Sequence, residues 1–122
     1  MLIGALVVAG AVGAASRYLA DGWIQRRTSG PFPWATFVIN VSGSFLLGVV
    51  VGLAQYHGLT SLPTTVVATG FCGAFTTFST FSYESVRLLE QGSIDQAAAN
   101  TLGSVVAGLL AAGAAITLVA AL

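Results

Sequence analysis

The sequence predicts an all-α integral membrane protein, one domain over residues 1–122 with four transmembrane helices, and three observations carry that reading. Of the 122 residues, 56% are hydrophobic and only 7% charged, with no lysine; so small a chain of that composition cannot solvate its own surface. Four apolar stretches each approach the ~20 residues that cross a hydrocarbon core. One of them contains Gly70-Phe71-Cys72-Gly73-Ala74-Phe75-Thr76-Thr77-Phe78-Ser79-Thr80-Phe81-Ser82, a run filled with glycines, hydroxyls and phenylalanines. Hydrocarbon offers no water to such groups. At membrane depth the run is stable only if it packs against protein or lines a polar path, which makes it the first candidate site.

The first span runs over residues 2–20. Its first basic residue, Arg17, follows the apolar stretch instead of preceding it, so the segment does not read as a signal peptide. Arg17 and Asp21 are spaced as an i,i+4 ion pair near the interface. The turn-rich residues 26–33 lead into the second span, Trp34 to Tyr56, and residues 57–63 form a short loop. The third span begins near Thr64, extends past Phe81 and reaches water around residues 87–92. Ser93 to Gln96 marks a helix start with Asp95 in its first turn, and the last span continues to Leu122.

Charge and cysteine usage narrow the function classes. The net charge is zero and no basic run exists, which argues against a nucleic-acid partner. The lone Cys72 has no disulfide partner and reads as a small buried hydrophobe. His57 falls in a loop without an acid or nucleophile nearby in sequence, which gives hydrolase chemistry little support.

The polar residues of the spans are organised on helix faces, because residues four apart share one side. Span two carries Thr36, Asn40, Ser44, Gly48 and Gly52 in such a row, and span four carries Gln96, Asn100, Ser104, Gly108 and Ala112. Glycines at this spacing are ordinary packing material between membrane helices. Asn40 and Asn100 are harder to explain that way, since each carboxamide brings donors and an acceptor that need partners. The span interiors hold neutral donors: the Asn40 amide, the hydroxyls of Ser44, Thr76, Thr77, Ser79, Thr80 and Ser104, and the positive edges of aromatic rings. Such groups suit a small anion, because they attract it without the tight binding that a full cation would impose. Phe78 and Phe81, three apart, turn to the same side of a helix.

Three blocks carry a family resemblance. Gly10-Ala11-Val12-Gly13-Ala14-Ala15-Ser16-Arg17-Tyr18, Trp34-Ala35-Thr36-Phe37-Val38-Ile39-Asn40-Val41-Ser42-Gly43-Ser44-Phe45-Leu46-Leu47-Gly48 and the run from Gly70 to Ser82 together resemble the Fluc fluoride channels, also called the CrcB family. The resemblance covers most of the chain, with the last helix least distinctive. It implies an antiparallel, dual-topology dimer in the cell membrane. In it the third helix of each subunit is broken near the membrane centre, and two pathways carry fluoride. It further implies a structural sodium ion at the dimer centre, held by the backbone carbonyls of Gly73 and Thr76. Oxygen ligands freed at a helix break suit such a hard cation.

Residue by residue, the resemblance makes Asn40, Phe78 and Phe81 pathway residues, with Ser79 and Thr80 as hydroxyls of a polar track that Ser104 joins from the fourth helix. Ser44 is added from its place below Asn40. Arg17 matches a basic vestibule residue that raises local anion concentration, and Glu84 matches a glutamate after the phenylalanine box. Asn100 stands where the family often has an aromatic hydroxyl, a departure on the fourth-helix side. The function implied is passive export of fluoride. The alternative is a small multidrug-type proton antiporter, which needs a carboxylate deep in the first helix, where residues 2–16 have none. A purely structural membrane subunit is a third class. Arg26, Arg27 and Arg87 fall on one side of a four-span chain, a bias that leaves open a homodimer or a heterodimer with a paralogue of opposite bias.

Overall fold

The computed structural model describes residues 1–122 and contains helices and short loops only. Helix α1 (Leu2–Gln25) and helix α2 (Trp34–Tyr56) are continuous. The chain is then segmented: α3 (Ser61–Thr65), a π-helical stretch Val66–Cys72, α4 (Gly73–Phe75), an extended pair Thr76–Thr77, and α5 (Phe78–Glu90). Helix α6 (Ile94–Ala120) closes the fold. Three helices, α1, α2 and α6, are long and apolar enough to cross a membrane.

Two boundaries differ from the sequence reading for local reasons. Helix α1 continues past residue 20 to Gln25, whose Nε2 donates to Asp21 at 2.8 Å, while the Arg27 guanidinium sits 4.1 Å from the Trp23 ring centroid. Asp21 is therefore engaged by Gln25, and the expected Arg17–Asp21 pair does not form. Helix α3 starts at Ser61, earlier than the expected Thr64. Pro63 falls in the first turn, where a missing N–H costs nothing because that turn's amides have no intrahelical acceptor.

The loops are short and set by turn chemistry. Helix α5 ends with Gly92 at φ +79°, where Gly92 N–H donates to the Leu89 carbonyl at 3.0 Å and Ser93 N–H to that of Leu88 at 2.9 Å. This left-handed helix stop suits glycine, which lacks a Cβ. Phe32, Trp34 and Phe37 cluster where the first loop enters α2, with ring centroids 4.7 to 5.8 Å apart. Aromatic rings near the ends of apolar helices are of the kind that anchors membrane interfaces.

Helix α2 packs most extensively on α6. The two polar rows meet in order: Ser44 lies beside Gly108, Gly48 against Ala112 and Ala115, and Gly52 against Val119. A Cβ on Gly52 would stand 2.9 Å from that of Val119, so this seam needs glycine for close approach. Numbers rise together along both helices, so α2 and α6 are parallel. Residues 57–93 consequently return the chain along the full length of the bundle. Helix α1 packs on the π-helical stretch, again in parallel, with Gly10 near Gly70 and Gly13 near Phe71 and Ala74. His57 Nε2 lies 2.7 Å from the Val119 carbonyl, tying the loop after α2 to the end of α6.

Candidate functional site

The site is built around the interruption at Thr76–Thr77. Thr76 and Thr77 are extended, at φ −81°, ψ 162° and φ −146°, ψ 122°. Asn40 of α2 grips this pair through both ends of its carboxamide: Nδ2 donates to the Thr77 carbonyl at 2.9 Å, and Oδ1 accepts from the Thr77 N–H at 2.8 Å. Thr77 then caps α5, its Oγ1 accepting from the Thr80 N–H at 3.2 Å and donating to Thr80 Oγ1 at 3.1 Å. The seat for Thr76 is made by Gly43, whose missing Cβ leaves the space that the Thr76 methyl fills. The interruption expected over Gly73–Thr76 thus falls at the end of that range, with Gly73 still in a helical turn.

A cavity of about 380 Å³ lies against the break. It gathers Asn40, Ser44, Gly73, Thr76, Phe78, Phe81 and Ser104 from the expected set, and no ionisable side chain other than the Cys72 thiol lines it. The Phe78 and Phe81 rings lie 6.0 Å apart, tilted by 45°, as their spacing predicts. Phe78 is 79% exposed and nothing lies within 4 Å of the Cβ side of Gly73, so this wall of the cavity is uncovered by the chain itself.

The donors are not equally available. The Ser44 hydroxyl donates to the Asn40 carbonyl and that of Thr76 to the Cys72 carbonyl, both at 2.8 Å. Each is therefore committed to the carbonyl four residues earlier. The Ser104 hydroxyl makes only a long bond, 3.4 Å, to Asn100 Oδ1, and one N–H of Asn40 Nδ2 is left over after the bond to Thr77. Those two groups, with the ring edges and the N-terminal end of α5, are what the cavity offers an anion.

Other expected residues lie outside this cavity. Arg17 and Thr80 line a second one, of about 180 Å³, with Asp21, Thr36 and Thr77. Thr77 borders both cavities. Ser79 is exposed at the start of α5, its hydroxyl 3.4 Å from Thr77 Oγ1. Glu84 lines a third cavity with Gly30, Pro31, Arg87 and Gln91, and its Oε1 is buried without a hydrogen-bond partner. That cavity joins the first loop to the last turns of α5, so Arg26 and Arg27 at the start of the first loop and Arg87 in the last turn of α5 share one end of the bundle.

Asn100 is fully buried and does not reach the main cavity. Its Nδ2 donates to Ser85 Oγ at 2.8 Å, and Ser85 donates to the Phe81 carbonyl at 2.9 Å. Ser85 was absent from the sequence reading. Its signal was its position four residues after Phe81, on the same face of α5.

Comparison with known proteins bears on this arrangement. A family model described as CrcB-like protein, Camphor Resistance (CrcB), matches residues 4–116. The chain is 49% identical over 112 residues to a protein of Streptomyces avermitilis named Fluoride-specific ion channel FluC 1, covering 91% of this chain and 90% of that one. A protein of the same name from Frankia casuarinae is 49% identical over 119 residues, with 91% and 92% covered. Fluoride-specific ion channel FluC of Syntrophotalea carbinolica is 44% identical over 118 residues, with 93% of each covered.

Proposed function

The chain belongs to the CrcB family, and from that premise we propose that this multi-pass membrane protein is a fluoride-specific channel that lets cytoplasmic fluoride leave down its electrochemical gradient. The observation that carries the reading is the cavity at the break. Its polar groups are neutral donors and aromatic edges, drawn together from α2, α5 and α6. A small anion is attracted there without being trapped. Asn40, Phe78, Phe81 and Ser104 act on the ion directly. Ser44 holds the Asn40 turn through its bond to the Asn40 carbonyl, and Thr80 and Ser79 lead from the vestibule where Arg17 raises anion concentration. Glu84, midway along α5, shares its cavity with Gly30 and Pro31 of the first loop. The antiporter alternative has no support among the relatives, which are named as channels.

The finer architecture follows the same reading. The segmented chain from Ser61 to Glu90 makes the third of four crossings, supported by the parallel register of α2 with α6. A second, inverted copy covers the open wall at Phe78 and Gly73, supported by the 79% exposure of Phe78. Sodium would be held at the centre of that dimer by the carbonyls of Gly73 and Thr76, where it would supply a fixed positive charge. The residues present fit it: the N–H groups that an unbroken helix would bring to these carbonyls are bonded elsewhere.

Expression in a bacterium stripped of its fluoride exporter tests the function. Growth in fluoride medium is restored if the chain is a fluoride channel. Insertion of the protein without restored growth would overturn it.

A further inference from the structure

In an uninterrupted α-helix the Thr77 N–H would close on the Gly73 carbonyl and the Thr80 N–H on the Thr76 carbonyl. Here each donor is captured by a side-chain oxygen. Asn40 Oδ1 takes the Thr77 N–H at 2.8 Å, and Thr77 Oγ1 takes the Thr80 N–H at 3.2 Å. We propose that Asn40 and Thr77 are positioning residues that keep the Gly73 and Thr76 carbonyls open to a hard cation, by competing away the two amide donors that would otherwise close on them.

Three further features serve that arrangement. Asn40 Nδ2 also holds the Thr77 carbonyl at 2.9 Å, so the captured residue is fixed at both ends and cannot rotate back into the helix. Gly43 gives Thr76 its seat against α2, and the Cβ side of Gly73 is open for at least 4 Å. A carbonyl that accepts a hydrogen bond retains a lone pair, but the N–H hydrogen crowds that oxygen and opposes a cation beside it. Removing the donor leaves an acceptor that is costly to bury unpartnered, which is the condition under which a cation binds gainfully. Asn40 then has two roles in one side chain. Its oxygen opens the carbonyls, and its remaining N–H faces the anion cavity.

The inference rests on the sodium site proposed above, and its test separates the two. Purified protein is titrated with sodium in a background of N-methylglucamine, and the thermal unfolding midpoint is followed. If sodium binds the wild type, its midpoint rises with concentration; a midpoint indifferent to sodium overturns the sodium site and this inference with it. Thr77→Val and Asn40→Leu, which lack the capturing oxygens, should move the half-saturating sodium concentration up about tenfold, the factor set by one net hydrogen bond of ~1.4 kcal/mol. Thr77→Ser, which keeps the oxygen, should titrate like the wild type. A sodium-responsive wild type with equally responsive Thr77→Val and Asn40→Leu proteins overturns the positioning role alone. Should those variants fail to assemble, carbonyl ¹³C NMR of the wild type decides. The Gly73 and Thr76 signals should shift with sodium while the Thr77 and Thr80 amides stay protected from exchange; unshifted carbonyls overturn the proposal.

Discussion

The seam between α2 and α6 and the segmented chain from Ser61 to Glu90 are built from the same residue types, yet they behave oppositely. In the seam, Gly48 and Gly52 let two unbroken helices touch, and every turn keeps its own backbone bonds. In the segmented chain, Gly73, Thr76 and Thr77 surround a break whose amides are bonded to side chains of α2 and of the loop itself. What separates them is the destination of the backbone hydrogen bonds. A small residue in a closed ladder gives packing; the same residue beside a diverted ladder gives an open polar wall.

The largest effect should come from substitutions that strike the break without touching the seam. Asn40→Asp retains an acceptor for the Thr77 N–H but loses the donor to the Thr77 carbonyl, and places a carboxylate where an anion must pass. We expect fluoride efflux to fall at least ~100-fold, consistent with a lost charge-sensitive contact of roughly 3 kcal/mol, in a protein that still elutes as an assembled species. Efflux at the wild-type rate would remove Asn40 from the pathway.

The seam should fail in the other way. Gly48→Leu drives a side chain into the Ala112 backbone and the Ala115 methyl, a clash costing about 1–3 kcal/mol or more. Size-exclusion chromatography should show loss of assembled protein, with efflux per assembled protein unchanged. A well-assembled Gly48→Leu protein would mean that the seam is looser than its geometry indicates.

Phe78→Ile and Phe81→Ile sharpen the contrast at the cavity wall. They conserve apolar bulk while deleting the ring edge, so efflux should fall about tenfold, in line with roughly 0.5–1.5 kcal/mol for an aromatic contact, with assembly intact. Parallel loss of assembly and flux would return these rings to the packing class.

The smallest effect concerns the vestibule. Asp21 lines the cavity that also holds Arg17, so it offsets that residue's attraction for anions. Asp21→Asn should raise efflux about twofold at low ionic strength and leave it unchanged at 0.15 M salt, where the screening length is ~8 Å. An equal change at both salt concentrations would point to a structural role instead.

Much of this contrast was legible in the sequence. The i,i+4 rows of α2 and α6 put Ser44, Gly48 and Gly52 on the face that packs, because helical periodicity is a local property. The clustering of Asn40, Phe78, Phe81 and Ser104 followed from the family blocks together with that periodicity. The partners were not legible. Asn40 and Thr77 are thirty-seven residues apart, and nothing local says that a carboxamide on α2 will accept from the amide of the residue that caps α5. The same reason hid the engagement of Asn100 by Ser85, across fifteen residues and two helices. The spacing of Arg17 and Asp21 allowed a pair, but Asp21 accepts from Gln25 one turn further on instead.

The most direct measurement is efflux from proteoliposomes reconstituted with this chain alone and loaded with equal fluoride and chloride, read with electrodes for each ion without a proton gradient. Rapid fluoride release with chloride retained is the result expected of a cavity lined by neutral donors and completed by a second copy of the same chain. Release of both ions, or of neither from well-inserted protein, would contradict the account.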